Sequence, residues 1–427
     1  MNIEEQNREA LIAYFEKSGH PITNKVLGVE IEHFILVSDA NEPITYDSKD
    51  GRIGIADVLN ALTDHYPAIF LNNEGEIIGC ANEEASITLE PASQIEISIA
   101  PFASIQKIGE VYSDFRARLD AYLDRHNAHV YALGYHPTHK AADLELIPKK
   151  RYQYMDAWFK QLGTKAERMM RGSASTQVSI DYIDEADAIR KMRAASALVP
   201  ILSAITDNSP VFEGEATKEP LVRLTVWRNV DPARAGVIPG IFDKDFSFAN
   251  YADWVLGASP IFVTRAPAGE PEDATPRQVG TVPAVQAYGD APMTQADIEH
   301  LLSMYWPDVR LKRFVEIRPA DSMPQELVLG YAALIKGLFY SEDALSTIES
   351  DLGVADGVWP LTSDSVESVI AAIKKQGYGA HVYGKSLDQW IAHLFDLARA
   401  GLDADEQGYL DPLEGFALSK ELYQKQA

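Results

Sequence analysis

Residues 27–34, Leu-Gly-Val-Glu-Ile-Glu-His-Phe, alternate between apolar and acidic side chains. This period of two predicts a β-strand in which Val29 and Ile31 face one side while Glu30 and Glu32 face the other. Two carboxylates held side by side repel each other unless a positive charge offsets them. A divalent cation with oxygen ligands, typically Mg²⁺ carrying bound phosphates, would supply that charge. The alternative is a solvent-facing strand whose two glutamates are simply hydrated.

A second stretch, residues 86–99, shows the same alternation. Its polar face carries Glu90 and Glu96, and Pro91 interrupts it, so we expect one strand with a bend or bulge at the proline. A half-buried strand with a wet face would give the same pattern. Because this is the second strand with two carboxylates on one face, the sequence favours a shared cavity lined by both strands.

Three further strands are predicted from period-two patterns. Residues 173–182 place Ser175 and Gln177 on one face, residues 221–229 carry Arg223, and residues 309–318 carry Glu316 and Arg318. Helical periodicity is found in the segments 4–17, 55–66, 103–126, 185–206, 325–340, 365–376, 385–400 and 416–425. Antiparallel strands with one charged face, covered on the other by helices, predict an α+β fold with a curved sheet.

Two segments leave alternatives open. The basic cluster Lys149-Lys150-Arg151-Tyr152 is either a surface patch or a site for a carboxylate or phosphate. Residues 266–293 are rich in Pro, Gly and Ala, which predicts a long loop. That loop is either a cover over a site or an inert insertion.

The composition limits the classes of partner. The chain has 427 residues, 46% of them hydrophobic, and 63 acidic against 38 basic residues give a formal net charge of -25. This charge argues against nucleic acid or an anionic membrane as the main partner. We expect a single catalytic domain over residues 1–427, with residues 345–427 as its helical C-terminal part, acting on small molecules.

The chain carries one cysteine, Cys80, so it cannot form an internal disulfide. The N-terminal residues show neither the basic nor the apolar region of a signal peptide, and no run of about 18 apolar residues suggests a membrane span. From these features we expect a cytoplasmic protein.

The chemistry-bearing residues are carboxylates and arginines, and the motifs of several enzyme classes are missing. The sequence contains no Gly-x-Ser-x-Gly, no Walker loop, no Gly-x-Gly-x-x-Gly after a strand and no Cys or His pair at zinc spacing. Carboxylates with arginines suit metal-assisted phosphoryl transfer, in which the protein positions groups and neutralises charge without supplying a nucleophile.

Six motifs, in order along residues 25–345, resemble those of the glutamate–cysteine ligases of the plant and proteobacterial type. They are Gly28-Val-Glu-Ile-Glu-His-Phe34, Leu89-Glu-Pro-Ala-Ser-Gln-Ile-Glu-Ile-Ser98, Ile147-Pro-Lys-Lys-Arg-Tyr152, Met169-Met170 through Gln177-Val-Ser-Ile-Asp181, Trp227-Arg-Asn-Val-Asp-Pro-Ala-Arg-Ala-Gly236 and Leu311-Lys-Arg-Phe-Val-Glu-Ile-Arg-Pro-Ala-Asp321. Each motif alone is weakly specific, whereas six in order are strongly specific.

The resemblance implies a glutamine-synthetase-like fold, in which a curved antiparallel sheet forms a half-barrel with packed helices. It implies an ATP-dependent ligase that joins the γ-carboxylate of L-glutamate to the amino group of L-cysteine through a γ-glutamyl phosphate. The product, γ-glutamylcysteine, is the first intermediate of glutathione biosynthesis. The implied cofactors are ATP and Mg²⁺, and the implied state is a monomer or a homodimer.

The resemblance also implies roles for individual residues. Glu30, Glu32 and Arg318 would be catalytic. The implied Mg²⁺ ligands are Glu30, Glu32, Glu90, Glu96 and Glu316. The implied substrate-binding residues are Arg151, Gln177, Ser175, Arg223, Arg234 and Trp254.

Three departures from the family pattern concern the acceptor amine. In residues 171–175 the arginine stands one place early and Ser175 replaces a threonine, Trp254 stands in place of a tyrosine, and Pro319 replaces a glycine. Two alternatives therefore stay open. One is a γ-glutamyl ligase with a different amine acceptor, and the other is a binding or scaffold protein that keeps the fold without catalysis.

Overall fold

The computed structural model describes residues 2–39, 41–265 and 277–419. Its strands are β1 Leu27–Val37, β2 Glu42–Pro43, β3 Ala68–Leu71, β4 Ile77–Ala81, β5 Ala85–Leu89, β6 Ile95–Phe102, β7 Ala128–Tyr131, β8 Ser175–Ile180, β9 Val211–Phe212, β10 Glu215–Ala216, β11 Ala235–Gly236, β12 Phe262–Val263, β13 Arg277–Gln278, β14 Trp306–Pro307, β15 Val309–Leu311, β16 Val315–Asp321, β17 His381–Val382 and β18 Lys385–Ser386.

The α-helices carry most of the remaining regular structure. They are α1 Ile3–Ser18, α2 Ile55–Leu62, α3 Ile105–Asp124, α4 Lys150–Leu162, α5 Ala166–Gly172, α6 Glu185–Ile205, α7 Val222–Trp227, α8 Phe248–Gly257, α9 Ala284–Ala287, α10 Gln295–Leu302, α11 Gln325–Phe339, α12 Glu342–Asp351, α13 Ser363–Gln376, α14 Leu387–Gly401 and α15 Leu410–Leu418. Within the described ranges, none of these helices combines the length and apolar character needed to cross a membrane.

One large antiparallel sheet organises the fold. Its order is β15-β16-β8-β1-β6-β5-β4-β3, and β2 and β7 also pair with β1. In the described part of the chain the end strands β15 and β3 do not pair with each other, so the sheet is half-open rather than a closed barrel. The predicted α+β class with an open antiparallel sheet is confirmed.

The strand register separates two faces of the sheet. Ile31 pairs with Ile97, Ile97 with Ile87, and Ile87 with Cys80, which gives a continuous apolar row. All four side chains are fully buried. We call this side the core face, and α2 and α3 pack against its strands. The opposite side, the cavity face, carries the acidic residues because successive side chains alternate.

The stretch 86–99 forms two strands instead of the single bent strand that we predicted. Pro91 and Ser93 lie in the turn between β5 and β6, and Ser93 adopts the left-handed backbone region with φ of 66°. The amide of Glu90 donates to the carbonyl of Gln94 at 2.9 Å, which closes the turn. Proline cannot donate to a ladder, so the chain reverses here instead of bulging.

Residues 309–318 are likewise a hairpin rather than one strand. A turn at residues 312–314 separates β15 from β16, with the Lys312 amide donating to the carbonyl of Phe314 at 2.9 Å. The hairpin pairs Arg310 directly with Glu316. Glu316 and Arg318 keep their shared face, as predicted, and a second arginine joins them.

The strand predicted for residues 221–229 is wrong, since residues 222–227 form helix α7. The alternation of Arg223, Thr225 and Trp227 fits a strand, but Arg223 and Trp227 are also four residues apart and share a helix face. The Arg223 guanidinium lies 5.7 Å from the centre of the Trp227 ring. Because the segment is rich in Val, Leu and Trp, its composition favours a strand and masks this helical pairing.

The C-terminal helices pack on α11, which is buried along almost its entire length. A buried ion pair between Lys336 of α11 and Glu406, at 2.5 Å, ties this part to the body of the molecule. Of the loop predicted for residues 266–293, residues 266–276 lie outside the described residues, and β13 and α9 occupy part of the rest. Residues 420–425 of the predicted last helix also lie outside the described residues.

Candidate functional site

The cavity face of the sheet opens into a cavity of about 180 Å³. Carboxylates, arginines and aromatic side chains together form its wall. They are Glu30, Glu32, Glu90, Glu96, Arg151, Tyr152, Gln177, Trp227, Ser303, Trp306, Arg310 and Arg318, with Pro91, Met155, Met169, Met170 and Ser173. The cavity thus brings together residues from β1, β6, β8, β15, β16, α4 and α7.

The strand register places three glutamates next to one another. Glu32 of β1 pairs directly with Glu96 of β6, and Glu30 pairs with Gln177 of β8 on its other side. Directly paired side chains in an antiparallel sheet lie about 5 Å apart at their Cβ atoms. The prediction that the two acidic strands line one shared cavity is confirmed.

Glu32 is held in place by donors from β8. The Ser175 amide donates to Oε2 at 2.7 Å, the Ser175 hydroxyl donates to Oε1 at 2.9 Å, and the Gln177 side-chain amide donates to Oε1 at 3.2 Å. These bonds fix the carboxylate plane at the cavity wall. Ser175, predicted to bind substrate, therefore contacts Glu32 and is not among the lining residues.

Three carboxylates of the cavity, Glu32, Glu90 and Glu96, have pKa values that are raised to near neutral pH. Burial, together with the nearby Glu96 carboxylate, raises the pKa of Glu32 to about 7. Burial, with a contribution from Glu30, raises the pKa of Glu96 to about 8. Burial also raises the pKa of Glu90 to about 7, again with a like charge, Glu32, nearby. Burial and the mutual repulsion of these neighbouring carboxylates both favour their protonated forms as long as no cation is bound.

These raised pKa values predict how stability changes with pH. In the absence of divalent cations, the folded protein holds protons on Glu90 and Glu96 that the unfolded chain releases near the ordinary value of 4.5. The folded state then binds more protons, so the free energy of unfolding should fall as pH rises from about 5 to about 8. Urea unfolding of the wild type and of Glu96→Gln at pH 6 and pH 8 measures this. The variant should show a smaller fall, and an equal fall in both proteins would contradict the prediction.

Glu316 lies beneath the cavity in a cluster of positive charges. Its side chain is fully buried. Arg310 donates to it twice, at 2.7 and 3.0 Å, Lys312 once at 3.1 Å and Arg318 once at 2.8 Å. These cations hold the pKa of Glu316 well below its usual range against the opposing effect of burial. The sequence analysis predicts Glu316 as a Mg²⁺ ligand. In the structure Glu316 is instead the counter-ion that fixes Arg310 and Arg318.

Two residues of the predicted basic cluster, Arg151 and Tyr152, form part of the cavity wall. The Arg151 guanidinium donates to the Ser303 hydroxyl at 2.9 Å and to the Ser303 carbonyl at 2.7 Å. The Tyr152 hydroxyl donates to the Leu89 carbonyl at 2.9 Å and lies 3.5 Å from Glu90 Oε1. Of the two alternatives for this cluster, the surface patch is excluded for Arg151 and Tyr152, because both line the cavity.

Besides Ser175, three predicted substrate-binding residues do not line the cavity, namely Arg223, Arg234 and Trp254. Arg234 is 1% exposed, lies 2.7 Å from Asp231, and packs against the Trp158 ring at 5.4 Å. Trp254 packs its ring 4.9 Å from that of Tyr305. In the structure both side chains have packing partners outside the cavity lining, and their contacts with substrate stay predictions.

Arg223 is buried behind the cavity and donates to the Arg318 carbonyl at 3.1 Å. It also supports Trp227, which lies between the Arg223 and Arg318 guanidinium groups at 5.7 and 5.6 Å. Arg223 thus contacts two lining residues, Arg318 and Trp227, and its direct contact with substrate stays a prediction.

Several lining residues were missed by the sequence analysis, namely Tyr152, Trp227, Ser303, Trp306 and Arg310. The sequence does contain a signal for Arg310. Arg310 and Glu316 lie on either side of the basic pair Lys312-Arg313, which is suited to a turn, and a hairpin turning there would pair Arg310 with Glu316. Tyr152 and Trp227 lay within quoted motifs but were not assigned a role. Nothing in the local sequence marks Ser303 or Trp306.

The family departures have structural explanations. Pro319 lies in a β-bulge, since Ile317 pairs with Val178 and Ala320 with Thr176, which leaves two residues opposite one. A bulge tolerates proline, and it turns Arg318 towards Gln177, to whose side-chain oxygen Arg318 donates. At Gly172 a Cβ would lie 2.5 Å from the Tyr135 ring, so a larger residue is excluded there.

The donor set of the cavity fits a hard divalent cation. Glu30, Glu32, Glu90 and Glu96 offer only carboxylate oxygens, the ligand type that Mg²⁺ prefers. Their raised pKa values show that positive charge at this wall would be favourable. Among the described residues, no three Asp, Glu, His or Cys side chains are already arranged as ligands around one metal position.

Comparison with known proteins agrees with this geometry. The family model described as glutamate-cysteine ligase family 2 matches residues 26–356. The chain is 32% identical to the chloroplastic glutamate–cysteine ligase B of Oryza sativa subsp. japonica over 346 residues, which are 80% of this chain and 68% of that protein. It is 31% identical to the chloroplastic glutamate–cysteine ligase of Arabidopsis thaliana over 344 residues, covering 80% of this chain and 64% of that protein.

The fold is also similar to a solved structure. A glutamate–cysteine ligase from Francisella tularensis, crystallised in complex with AMP, superimposes with a TM-score of 0.55. The sequence identity is 13%, and the match covers 95% of this chain and 84% of that one. The predicted glutamine-synthetase-like class, a half-open antiparallel sheet with packed helices, is confirmed.

Proposed function

The chain belongs to glutamate-cysteine ligase family 2, and from this membership we propose that the acidic cavity is where ATP, L-glutamate and L-cysteine react. The observation that carries the proposal is that four carboxylates and three arginines from distant parts of the chain line one cavity. A scaffold protein would have no need to bury four neighbouring carboxyl groups, because their burial costs free energy without a ligand.

The reaction joins two amino acids through an activated acyl group. An oxygen of the glutamate γ-carboxylate attacks the γ-phosphorus of ATP, and ADP leaves with the bonding electron pair. The amino group of cysteine, as the free amine, then attacks the acyl carbon of γ-glutamyl phosphate. Inorganic phosphate departs, the nitrogen loses a proton, and γ-glutamylcysteine is formed.

The arginines of the cavity bind and orient the anionic groups. Arg310 and Arg318 are fixed by Glu316, so their charge is already in place when negative charge develops on the transferring phosphoryl group. Arg151, held by Ser303 in the cavity wall, is placed to bind a substrate carboxylate or phosphate. Trp227 and Trp306 contribute aromatic surface to the cavity wall.

Glu30, Glu32, Glu90 and Glu96 are the residues that would hold Mg²⁺. A bound cation of this kind supplies neutralisation of phosphate charge during transfer. Without it the same wall would repel the triphosphate, since the glutamates and the phosphates carry charge of one sign. The bonds that Ser175 and Gln177 donate to Glu32 keep its carboxylate oriented for this role.

An assay of phosphate release tests the proposed function. The purified chain, supplied with ATP, Mg²⁺ and L-glutamate, should release phosphate rapidly only when L-cysteine is added, and the product should have the mass of γ-glutamylcysteine. Release with another amine from a small panel, but not with cysteine, would assign a different acceptor. The absence of release with every amine would overturn the proposal and favour the scaffold alternative.

A further inference from the structure

The cavity face continues beyond the carboxylates to the edge of the sheet. One row of directly paired residues runs from Glu32 through Glu96, Thr88 and Gly79 to Phe70 of β3. The adjacent row runs from Glu30 through Ser98, Ser86 and Ala81 to Ala68. Directly paired residues point to the same side of a sheet, so Phe70 shares the face of the catalytic glutamates.

This part of the face is open, and its composition is unusual. Ser86, Ala81 and Thr88 are partly exposed in the described structure. The solvated face of an antiparallel sheet normally carries polar side chains. Here small residues form a smooth floor, with carboxylates at one end and an aromatic ring at the other.

Phe70 is set as a flat platform at the end of that floor. A Cβ added at Gly79 would lie 3.0 Å from Phe70 Cδ2, so the ring rests against bare backbone. The side chain is nevertheless 40% exposed. An aromatic ring supported from below and open above is suited to stacking with a planar group.

The spacing matches an extended nucleotide. Three strand-to-strand steps separate Glu96 of β6 from Phe70 of β3, which is about 14 Å at the usual spacing between strands. A triphosphate held at the glutamates would therefore place its base at the edge strand. The ribose would lie over Thr88, Ser86 and Ala81, whose side chains are small and partly exposed.

We propose that Phe70 is the stacking platform for the purine base of ATP, and that residues 68, 81, 86 and 88 form the floor beneath the ribose. The inference rests on the proposed function, because it takes the triphosphate to bind at the carboxylates. It adds the base subsite, which lies on a different strand from every residue of the cavity.

The test compares Phe70→Ala with a matched variant from the same strand. Ile69→Ala removes a neighbouring apolar side chain that is 51% exposed and points to the opposite face. Phe70→Ala should raise the KM for ATP about 10-fold with a much smaller change in kcat, as expected for the loss of one base–aromatic stack. Ile69→Ala should leave both constants unchanged, and Phe70→Trp should keep the wild-type KM.

Inhibition by inorganic tripolyphosphate separates the base from the phosphates. This probe has no base, so its inhibition constant should be the same in the wild type and in Phe70→Ala. An unchanged KM for ATP in Phe70→Ala, or a parallel weakening of tripolyphosphate inhibition, would overturn the platform. A wild-type protein without turnover would instead reject the proposed function. Calorimetric titration with ADP would then test Phe70 by itself. Weaker ADP binding to Phe70→Ala than to the wild type would support the stacking platform, and equal binding would reject it.

Discussion

Replacing Glu32 by glutamine is expected to lower kcat about 10²- to 10³-fold, the usual cost of losing one preorganised electrostatic group in an active site. Glutamine keeps the shape of the side chain, so the fold should persist. The substitution removes the carboxylate of Glu32, which pairs directly with Glu96 and lies two residues from Glu30 on the same face of β1. Steady-state kinetics with glutamate, cysteine and ATP measure the loss, and circular dichroism reports on the fold.

A control for this prediction is Glu84→Gln, which changes a glutamate outside the cavity. Glu84 pairs with Lys107 at 2.5 Å, and both side chains are well exposed, at 47% and 36%. Its kcat should equal that of the wild type. A Glu32→Gln protein that keeps wild-type turnover would reject the assignment of Glu32 to catalysis.

Replacing Glu316 by glutamine is expected to lower the free energy of unfolding by about 3–5 kcal/mol, the range for removing one partner of a buried ion pair. Glu316 is fully buried and faces Arg310, Lys312 and Arg318. Without its charge, these cations are left close together in a medium that solvates them poorly. Urea unfolding followed by tryptophan fluorescence measures the change, and activity should fall as the two arginines lose their common anchor.

The matched control is Glu299→Gln, which breaks a different glutamate–arginine pair. Glu299 lies 2.6 Å from Arg313, but the two side chains are 44% and 53% exposed. Exposed pairs contribute about 1 kcal/mol or less, so this variant should unfold close to the wild-type midpoint. Equal losses in the free energy of unfolding in the two variants would contradict the prediction that the buried Glu316 cluster contributes more than an exposed ion pair.

The extent to which the sequence predicts the site depends on how local each signal is. Glu30 and Glu32 are two residues apart in a long strand, so periodicity alone places them on one face. Glu90 and Glu96 were predicted on a shared face as well, although a turn rather than a bend separates them. The resemblance to a family then supplied the chemistry, and the matching family model agrees with it.

Arg223, Arg234 and Trp254 show why a family position does not by itself place a residue in the cavity lining. An arginine at a family position can either contact a ligand or support the residues that do, and the sequence does not distinguish these cases. Arg234 has a buried partner three residues earlier, Asp231, and this spacing is a local sign of a structural role. Non-local pairings such as Arg151 with Ser303 have no sequence signal at all.

The alternation in β1 also has a consequence for how the gene can vary. Core and catalytic side chains are interleaved at every second position of one strand, with Val29 and Ile31 fully buried and Glu30 and Glu32 at the cavity. A deletion of one codon inside β1 would exchange the two sets, sending carboxylates into the core and isoleucine into the cavity. Point substitutions can therefore alter chemistry and folding separately, whereas length changes in this strand alter both together. Natural and engineered insertions should accumulate in the turns and leave this strand untouched.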